Sequence, residues 1–302
     1  MIETRLLRQF IAVAQELHFH RAAERLNMAQ PPLSQAIRRL EQTIGYALFE
    51  RTNRSVALTA AGSAFLITAQ HMLSSLDEGV ANTRRVAQGL EGLLNLSFIN
   101  LAPYPIALLA LKTFRQASPG VAFSLKEATT AEQIEALEQG STDIGFIRTP
   151  GRTTPLLQLE PLFSEPVVVA LPAEHPLAQL DAVDLRALRD EPFVATARGL
   201  GQGWHDQLTA LCQTAGFVPK VEHYVRQLHT LPALVACGFG SALVPASQSV
   251  HACTGVAFRP LLHQATPELG EIELLMAWNP SRLCPIRDRL VAHLRTQRAL
   301  SN

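Results

Sequence analysis

The sequence predicts a chain in three parts: a small all-α head that carries a two-stranded β-wing, one long linker helix, and a larger α/β body. Three observations predict this: apolar residues at helical spacing over 1–58, a heptad repeat over 59–91, and alternating strand and helix patterns from residue 92 onward. The chain has 302 residues, of which 47% are apolar and 17% charged, so it can bury several cores. This composition excludes a mostly disordered protein.

The head contains three predicted helices. Apolar residues at helical spacing predict the first over 6–17, and His20–Leu26 forms a short second helix. The tight connection Asn27-Met28-Ala29 leads to a third helix, which begins at Gln30-Pro31-Pro32 because proline suits the first helical turn. Gly45 ends this helix, since glycine readily adopts the left-handed conformation of a C-cap.

The wing and the linker helix follow. The short runs Ala47–Glu50 and Val56–Leu58 predict a hairpin, and Thr59 is expected to cap a helix that continues to about Glu91. The apolar seam of this helix fits either a dimeric coiled coil or an amphipathic helix packed on its own domain. We favour the coiled coil because no neighbouring segment is long enough to cover the seam. The predicted dimerisation residues are Phe65, Ala69, Met72, Leu76, Val86 and Leu90.

The body alternates between strand and helix patterns. The predicted strands are Leu93–Ile99, Val121–Lys126, Asp143–Ile147, Pro166–Leu171, Pro192–Ala195, Val221–Val225, Ala242–Pro245 and Glu271–Trp278. The predicted helices are Ile106–Ala117, Ala131–Gln139, Trp204–Ala215, Leu231–Ala236 and Ile286–Gln297. Repeated βαβ units of this kind predict mostly parallel sheets, with a ligand beyond the carboxyl ends of the strands.

The head is basic. Residues 1–58 carry eight arginines and five glutamates, a net charge of +3, whereas the whole chain is neutral. Two helices joined by a tight turn and followed by a wing form a winged helix-turn-helix, which places its second helix in the major groove of DNA. Taken alone, the outward residues also fit an ordinary surface helix. The predicted DNA-binding residues are Gln30, Pro31, Pro32, Ser34, Gln35, Arg38 and Arg39 on the third helix and Arg51 and Arg54 at the wing.

Enzyme motifs are absent from the sequence. It has no glycine-rich phosphate loop and no G-x-S-x-G, and its ten histidines are scattered. The four cysteines, Cys212, Cys237, Cys253 and Cys284, include no C-x-x-C pair that would favour zinc or a redox couple. We therefore predict no catalytic site, no metal and no cofactor. Without a secretory apolar core or an apolar run of membrane length, the chain is expected to be cytoplasmic and to have no membrane partner.

The N-terminal stretch from Phe10 to Gly62 closely resembles the signature of the LysR-type transcriptional regulators. The matching positions are Phe19, Ala22, Ala23, Leu26, Gln30, Pro31, Ser34, Ile37, Leu40, Glu41, Gly45, Leu48, Phe49, Arg51, Leu58, Thr59 and Gly62. The later segment LVACGFGSALVPAS resembles a recurrent segment of the same family. The resemblance implies a regulator that binds double-stranded DNA as a dimer of dimers and is controlled by a small-molecule effector. RNA polymerase is a further partner that it suggests.

Two positions depart from the signature. Many relatives carry serine where this chain has Ala29, and the change is expected to remove a helix cap of about 1 kcal/mol. Many also carry arginine where this chain has Gln35, so one charged groove contact is lost. The sequence around His18-Phe19 and Gln30-Pro31 is most similar to that of the family branch that senses aromatic-degradation intermediates such as muconate or benzoate.

The effector domains of this family resemble periplasmic solute-binding proteins, in which two lobes enclose a cleft. This implies domains at 1–58, 59–91 and 92–302, with lobe one at about 92–164 and 267–302 and lobe two at about 165–266. The resemblance places the cleft at the ends of the first strands and in the loops that face them. Its expected effector-binding residues here are Asn100, Leu101, Ala102, Thr129, Thr130, Arg148, Gly203, Trp204, His205, Gln227 and His229.

These residue types suit a small organic anion, either aromatic or dicarboxylic. Thr130 offers a hydroxyl, Arg148 can pair with a carboxylate, and Trp204 can cover a flat apolar body. Each also has a purely structural alternative: a helix cap for Thr130, a hinge salt bridge for Arg148, and packing for Trp204.

Two other functions stay open at this point. One is a thiol-based redox sensor, although Gly203-Trp204-His205 stands where peroxide-sensing relatives carry their reactive cysteine. Cys212 and Cys237 lie in apolar segments and are expected to be inert. The other is a metabolic enzyme with an α/β body, which the lack of catalytic motifs disfavours.

Overall fold

A computed structural model describes residues 1–52, 55–101, 104–152, 154–251, 254–262 and 267–301. It divides into two compact units, residues 1–85 and 86–302. The first unit contains the head and most of the linker helix, and the second contains the α/β body. Within the described ranges, no helix combines the length and the apolar character needed to span a bilayer.

The head has the predicted elements in the predicted order. They are α1 (Thr4–Glu16), α2 (Phe19–Arg25), α3 (Gln30–Ile44), β1 (Phe49–Arg51), β2 (Val56–Leu58) and α4 (Ala60–Ala87), with β1 and β2 paired antiparallel. The apolar faces of the first three helices meet in one core, whose fully buried members include Phe10, Val13, Leu33, Ile37 and Leu40. The periodicities in the sequence thus correctly identify most of the inward faces. Leu17 is the exception, because it is the exposed, left-handed C-cap that follows α1.

Two turns connect α3 to the rest of the head. Asn27 has φ +51 and Gly45 has φ +85, so both take the left-handed conformation that asparagine and glycine tolerate best. Ala29 is the N-cap of α3, and its side chain makes no capping bond. The second and third helical positions are Pro31 and Pro32, which have no N–H for a cap to bind. Ala29 thus lacks a capping bond, as expected, and the two prolines mean that a serine at this position would also find no N–H to bind.

Helix α4 is fixed to the head at its first turn. Thr59 caps it as predicted, because its Oγ1 accepts the Gly62 N–H at 2.8 Å and donates to the Ala47 carbonyl at 2.9 Å. A Cβ on Gly62 would lie 2.0 Å from the Leu48 carbonyl oxygen, so only glycine fits there. The helix ends at Ala87 rather than Glu91, since Gly89 turns the chain with φ +66.

The seam of α4 has two halves that differ in exposure. Phe65 packs edge-on against Phe10 with 5.1 Å between ring centroids, and Ala69 is fully buried in the head core. Their prediction as intermolecular contacts is corrected, because they cover the head of their own chain. Further along, Met72 and Leu76 are exposed by 53% and 45%, and Val86 is exposed as well. Leu90, predicted on the same seam, lies beyond the end of α4 at Ala87. The second half of the seam on α4 therefore remains available to a partner.

The body contains five helices and nine strands among its described residues. The helices are α5 (Pro105–Ala117), α6 (Thr130–Gln139), α7 (Gln202–Thr214), α8 (Leu231–Ala236) and α9 (Pro285–Ser301). The strands are β3 (Gly92–Phe98), β4 (Val121–Glu127), β5 (Ile144–Arg148), β6 (Gln158–Pro172), β7 (Pro192–Thr196), β8 (Lys220–Val225), β9 (Ala242–Pro245), β10 (Val256–Pro260) and β11 (Glu271–Trp278). Strand β10 was not predicted.

Strand β6 joins the two lobes of the body. Its first half pairs with β11 and its second half pairs with β10 and β9 in a sheet ordered β10-β6-β11-β5-β3-β4. Lobe one contains β3, β4, β5 and β11 with α5, α6 and α9, and lobe two contains β7 to β10 with α7 and α8.

The prediction of mostly parallel sheets was wrong. Only β3–β4, β3–β5 and β7–β8 are parallel, whereas β6 and β11 run antiparallel to their partners. Strand β6 carries the chain into lobe two and β11 brings it back after α7 and α8, so the two strands run in opposite directions. The alternation of helix and strand patterns does not indicate this return.

Candidate DNA-binding face and ligand cleft

Helix α3 presents one polar face and one buried face. Leu33, Ile37 and Leu40 are fully buried, which turns the intervening residues outward. The exposed residues are Gln30, Pro31, Pro32, Gln35, Arg38 and Arg39, and Ser34 is partly buried beside them. The structure therefore gathers the predicted base-contacting residues on a single surface. Arg54, predicted at the wing, lies outside the described residues.

The wing is fixed to α3 by one glutamate. Glu41 Oε1 accepts the N–H groups of Leu48 and Phe49 at 3.0 and 3.2 Å, and its Oε2 accepts from Arg51 Nη2 at 2.7 Å. The guanidinium of Arg51 also lies 4.9 Å from the centre of the Phe19 ring. Arg51, predicted to contact DNA, thus has a structural role at the base of the wing.

A cleft of about 670 Å³, its open mouth included, lies between the two lobes of the body. Six of the predicted effector residues line it: Asn100, Thr129, Thr130, Arg148, Trp204 and Gln227. Thr196, Arg226 and Gln248 also line it and were not predicted.

Four predicted residues do not line the cleft, and a fifth, Ala102, lies outside the described residues. Leu101 is buried in the core of lobe one. His205 lies 3.4 Å from Asp206 and lines a smaller apolar cavity, because successive residues of α7 point about 100° apart. His229 is exposed in a short turn. A Cβ on Gly203 would lie 2.1 Å from the Thr149 carbonyl oxygen, so this glycine permits close contact between the lobes.

Two helices begin at the cleft, where their free N–H groups favour anions. The cap of α6 is Thr129, which forms a reciprocal capping box with Glu132. The alternative role of Thr130 as a cap is therefore wrong. Thr130 is buried, and its Oγ1 accepts the Arg148 N–H at 3.3 Å, which leaves the hydroxyl proton able to bind a ligand. The second helix, α7, begins with Gln202 and brings Trp204 to the opposite wall.

Arg148 belongs to a buried polar network that links the lobes. Its Nη2 donates to the Tyr104 hydroxyl, and its Nη1 lies 3.8 Å from Glu165 Oε1. Tyr104 donates to Glu165 at 2.6 Å, and Ser247 donates to Glu165 from its N–H at 2.7 Å and from its hydroxyl at 3.0 Å. Burial raises the pKa of Tyr104, so the phenol keeps the proton that it donates. Arg148 is thus partly engaged in the predicted hinge ion pair.

Three donors in this region have no hydrogen-bond partner, although one of them, Arg148 Nη1, lies within ion-pair distance of Glu165. Nε and Nη1 of Arg148 and Nε1 of Trp204 are buried and make no hydrogen bond to any described residue. The guanidinium of Arg148 lies 5.9 Å from the centre of the Trp204 ring, so these donors are close together. Buried donors are rarely left unpaired in folded proteins, which marks them as groups that a ligand can satisfy.

The cysteines differ in exposure. Cys212 is buried, and desolvation raises the pKa of its thiol to about 12, so it is inert as expected. Cys237 is exposed although it lies in an apolar segment, so its expected inertness stays a prediction. Cys253 lies outside the described residues. In the ranges that the structure covers, no cluster of three histidine, cysteine or acidic side chains could hold a metal ion.

Tyr104, Glu165, Ser247 and Arg226 were missed by sequence reasoning. Glu165 offered one signal, because an acid immediately before the apolar run 166–171 is expected to need a buried partner. Nothing in the sequence links it to Tyr104, which lies 61 residues earlier.

Comparisons with known proteins agree with both halves of this architecture. A model of bacterial regulatory helix-turn-helix proteins of the lysR family matches residues 4–63, and one of the LysR substrate binding domain matches residues 87–299. The chain is 38% identical to the HTH-type transcriptional regulator AlsR of Bacillus subtilis, over 82% of this chain and 81% of that one. It is 37% identical to IlvR of Caulobacter vibrioides, over 94% of each chain. The crystal structure of full-length CbnR with its target DNA is 28% identical, covers 98% of this chain and 100% of that one, and has a TM-score of 0.79.

Proposed function

This chain belongs to the LysR family of bacterial transcriptional regulators, and we propose that a small organic anion, bound between its two lobes, controls its binding to DNA. One observation carries the choice of ligand. Arg148 and Trp204, which line the cleft, together carry three buried donors that make no hydrogen bond. A carboxylate supplies the acceptors that these donors lack, and the flat Trp204 ring suits an aromatic or conjugated body.

The charge of the cleft supports an anion. Among the described residues that line it, two are arginines, Arg148 and Arg226, and none is an aspartate or glutamate. Two helix N-termini add partial positive charge at the same place. A cationic ligand would meet both arginines, and a ligand without a carboxylate would leave the buried Arg148 donors short of an acceptor.

The DNA-binding surface of this proposal is the exposed face of α3. The similar regulator CbnR has been crystallised with its target DNA, which supports the same role here. Selection from a random duplex library should return a partly palindromic site, and affinity should fall steeply with salt. Gln35→Ala should relax preference at one base step, whereas Gln70→Ala on α4 should not. A full-length protein that selects no sequence, with or without organic acids, would contradict the proposal.

The second part of the proposed function concerns how the chains assemble. We propose domains at 1–58, 59–91 and 92–302 and a dimer of dimers that pairs the exposed half of α4. Met72→Glu should convert the oligomer to smaller species in light scattering and lower DNA affinity at least about a hundredfold, because two half-sites can no longer be bound together. Gln70→Glu, on the opposite face of α4, is the matched control. An unchanged oligomer in the Met72 variant would place the interface elsewhere.

The ligand is tested with matched acids and amides. A thermal-shift screen should find carboxylates that raise the melting temperature while their uncharged amides do not, as expected for a ligand that binds only the folded state. Arg148→Gln should lower the affinity for the best carboxylate about tenfold to a hundredfold and lessen its dependence on salt. Arg186→Gln, an exposed arginine paired with Asp184, is the control. Stabilisation by amides alone would exclude the anion.

The proposal treats the protein as a cytoplasmic, non-enzymatic regulator without a cofactor. Redox sensing is disfavoured because the first turn of α7 carries Gly203, Trp204 and His205 and no cysteine, and Cys212 is buried with a raised pKa.

A further inference from the structure

An ion pair crosses the mouth of the cleft. Arg226 follows β8 in lobe two and lines the cleft, and its Nη2 donates at 2.9 Å to Oε1 of Glu132 on α6 in lobe one. The two side chains are 60% and 48% exposed, so solvent screens their attraction. The pair joins the lobes at the point where a ligand would enter, yet little free energy holds it together.

Glu132 is held in place without Arg226. Its Oε2 accepts both the Thr129 N–H and the Thr129 hydroxyl at 2.8 Å, as the second half of the capping box of α6. These bonds lower the pKa of Glu132, with a smaller contribution from Arg226, so the carboxylate stays ionised. When Arg226 moves away, Glu132 therefore remains at the mouth as a fixed negative charge.

Arg226 is a cation for which two anions can compete. A guanidinium has five N–H donors in a planar fork, and only one of them bonds to Glu132. Arg148, deeper in the cleft, already suits one carboxylate. A second anionic group at the mouth of the cleft can form a bidentate pair with Arg226, which is stronger than the single exposed bond to Glu132.

We propose that Arg226 recognises a second anionic group of the effector and that Glu132 competes with that group, so the natural effector is a dicarboxylate. This rests on the proposed function, in which Arg148 binds the first carboxylate. When the ligand replaces Glu132 as the partner of Arg226, the ion pair between the lobes is broken. Occupancy of the cleft is thereby coupled to the arrangement of the lobes.

The test compares carboxylates that share a skeleton: butyrate with succinate, hexanoate with adipate, and benzoate with isophthalate. Calorimetry gives Kd for both members of each pair, and the readout is their ratio, so a general loss of affinity cancels. For the pair whose length fits, the wild-type protein should prefer the dicarboxylate about tenfold. Arg226→Gln should abolish this preference. Glu132→Gln, which preserves the capping box because glutamine can occupy the same position, should increase it several-fold.

The chain offers a matched control on the same helix. Glu138 on α6 pairs with Arg152 at 2.9 Å, and neither residue lines the cleft, so Glu138→Gln removes a partly exposed pair of the same type. It should leave the ratio unchanged. An unaltered ratio in Arg226→Gln, or no preference in any pair, would overturn the inference while monocarboxylate binding upheld the proposed function. If no carboxylate of either kind binds, it is the proposed function that fails.

Discussion

The head and the cleft differ in how completely their polar groups are hydrogen-bonded. In the head, every acceptor of Glu41 is used: it binds two backbone N–H groups and Arg51, and the Thr59 hydroxyl both donates and accepts. In the cleft, Arg148 and Trp204 retain buried donors without partners. A complete network specifies one conformation, whereas an incomplete one leaves free energy for a ligand to recover.

This difference matches what each region must do. The head has to present one rigid face of α3, so its polar groups secure the wing and the first turn of α4. The cleft has to respond to a ligand, so part of its hydrogen bonding is left to the ligand. Each unpaired buried donor costs about 1–3 kcal/mol, and a ligand that satisfies it gains a similar amount.

Removal of Glu41 tests the head with the largest expected effect. Glu41→Ala leaves two backbone N–H groups and Arg51 without their acceptor and should destabilise the head by about 2–4 kcal/mol. Both tryptophans, Trp204 and Trp278, lie in the body, so hydrogen exchange of head amides is the suitable measurement. Glu50→Ala, at an exposed position of β1, should change protection little. If the two variants behave alike, the wing is not held by Glu41.

Trp204→Phe makes the contrasting change in the cleft. It deletes an unpartnered N–H but also removes part of a buried ring, so the unliganded body should lose only about 1 kcal/mol of stability. Affinity for the best carboxylate should nevertheless fall up to about tenfold, because the ligand loses one donor. The comparison fails if this variant destabilises the unliganded body as strongly as Glu41→Ala destabilises the head. That result would mean that Trp204 serves packing alone.

The same contrast explains how far the sequence could predict each region. The helices of the head follow from local signals, namely apolar spacing, prolines at the start of α3 and Gly45 at its end. The division of α4 was not visible, because Phe65 and Met72 have the same seam position and only the position of α1 decides which one is covered. The local sequence pattern thus predicts where a helix lies more reliably than what it packs against.

The cleft depends on contacts between distant residues. Arg226 and Glu132 lie 94 residues apart, and Ser247 and Glu165 lie 82 apart, so no sequence spacing predicts them. Trp204 and His205 are neighbours in sequence, yet the rotation of α7 sends only Trp204 into the cleft. The resemblance to the family located the correct loops but could not select the side chains within them.

The smallest expected effect concerns the N-cap of α3, where the side chain of Ala29 makes no capping hydrogen bond. Ala29→Ser supplies a capping hydroxyl, but Pro31 and Pro32 offer no N–H at the two positions that a cap binds. The substitution alone should therefore change stability by less than about 0.5 kcal/mol. In a Pro32→Ala background the third position gains an N–H, and the same substitution should then stabilise the head by about 1 kcal/mol.

A double-mutant cycle over Ala29 and Pro32, followed by hydrogen exchange of the α3 amides, measures this coupling. A difference of about 1 kcal/mol between the two backgrounds would establish that the second proline, rather than the alanine, prevents capping. An equal gain in both backgrounds would contradict the argument, since the serine would then stabilise the head without the N–H of residue 32. Because Ala29 and Pro32 are both exposed, neither outcome is confounded by repacking of the core.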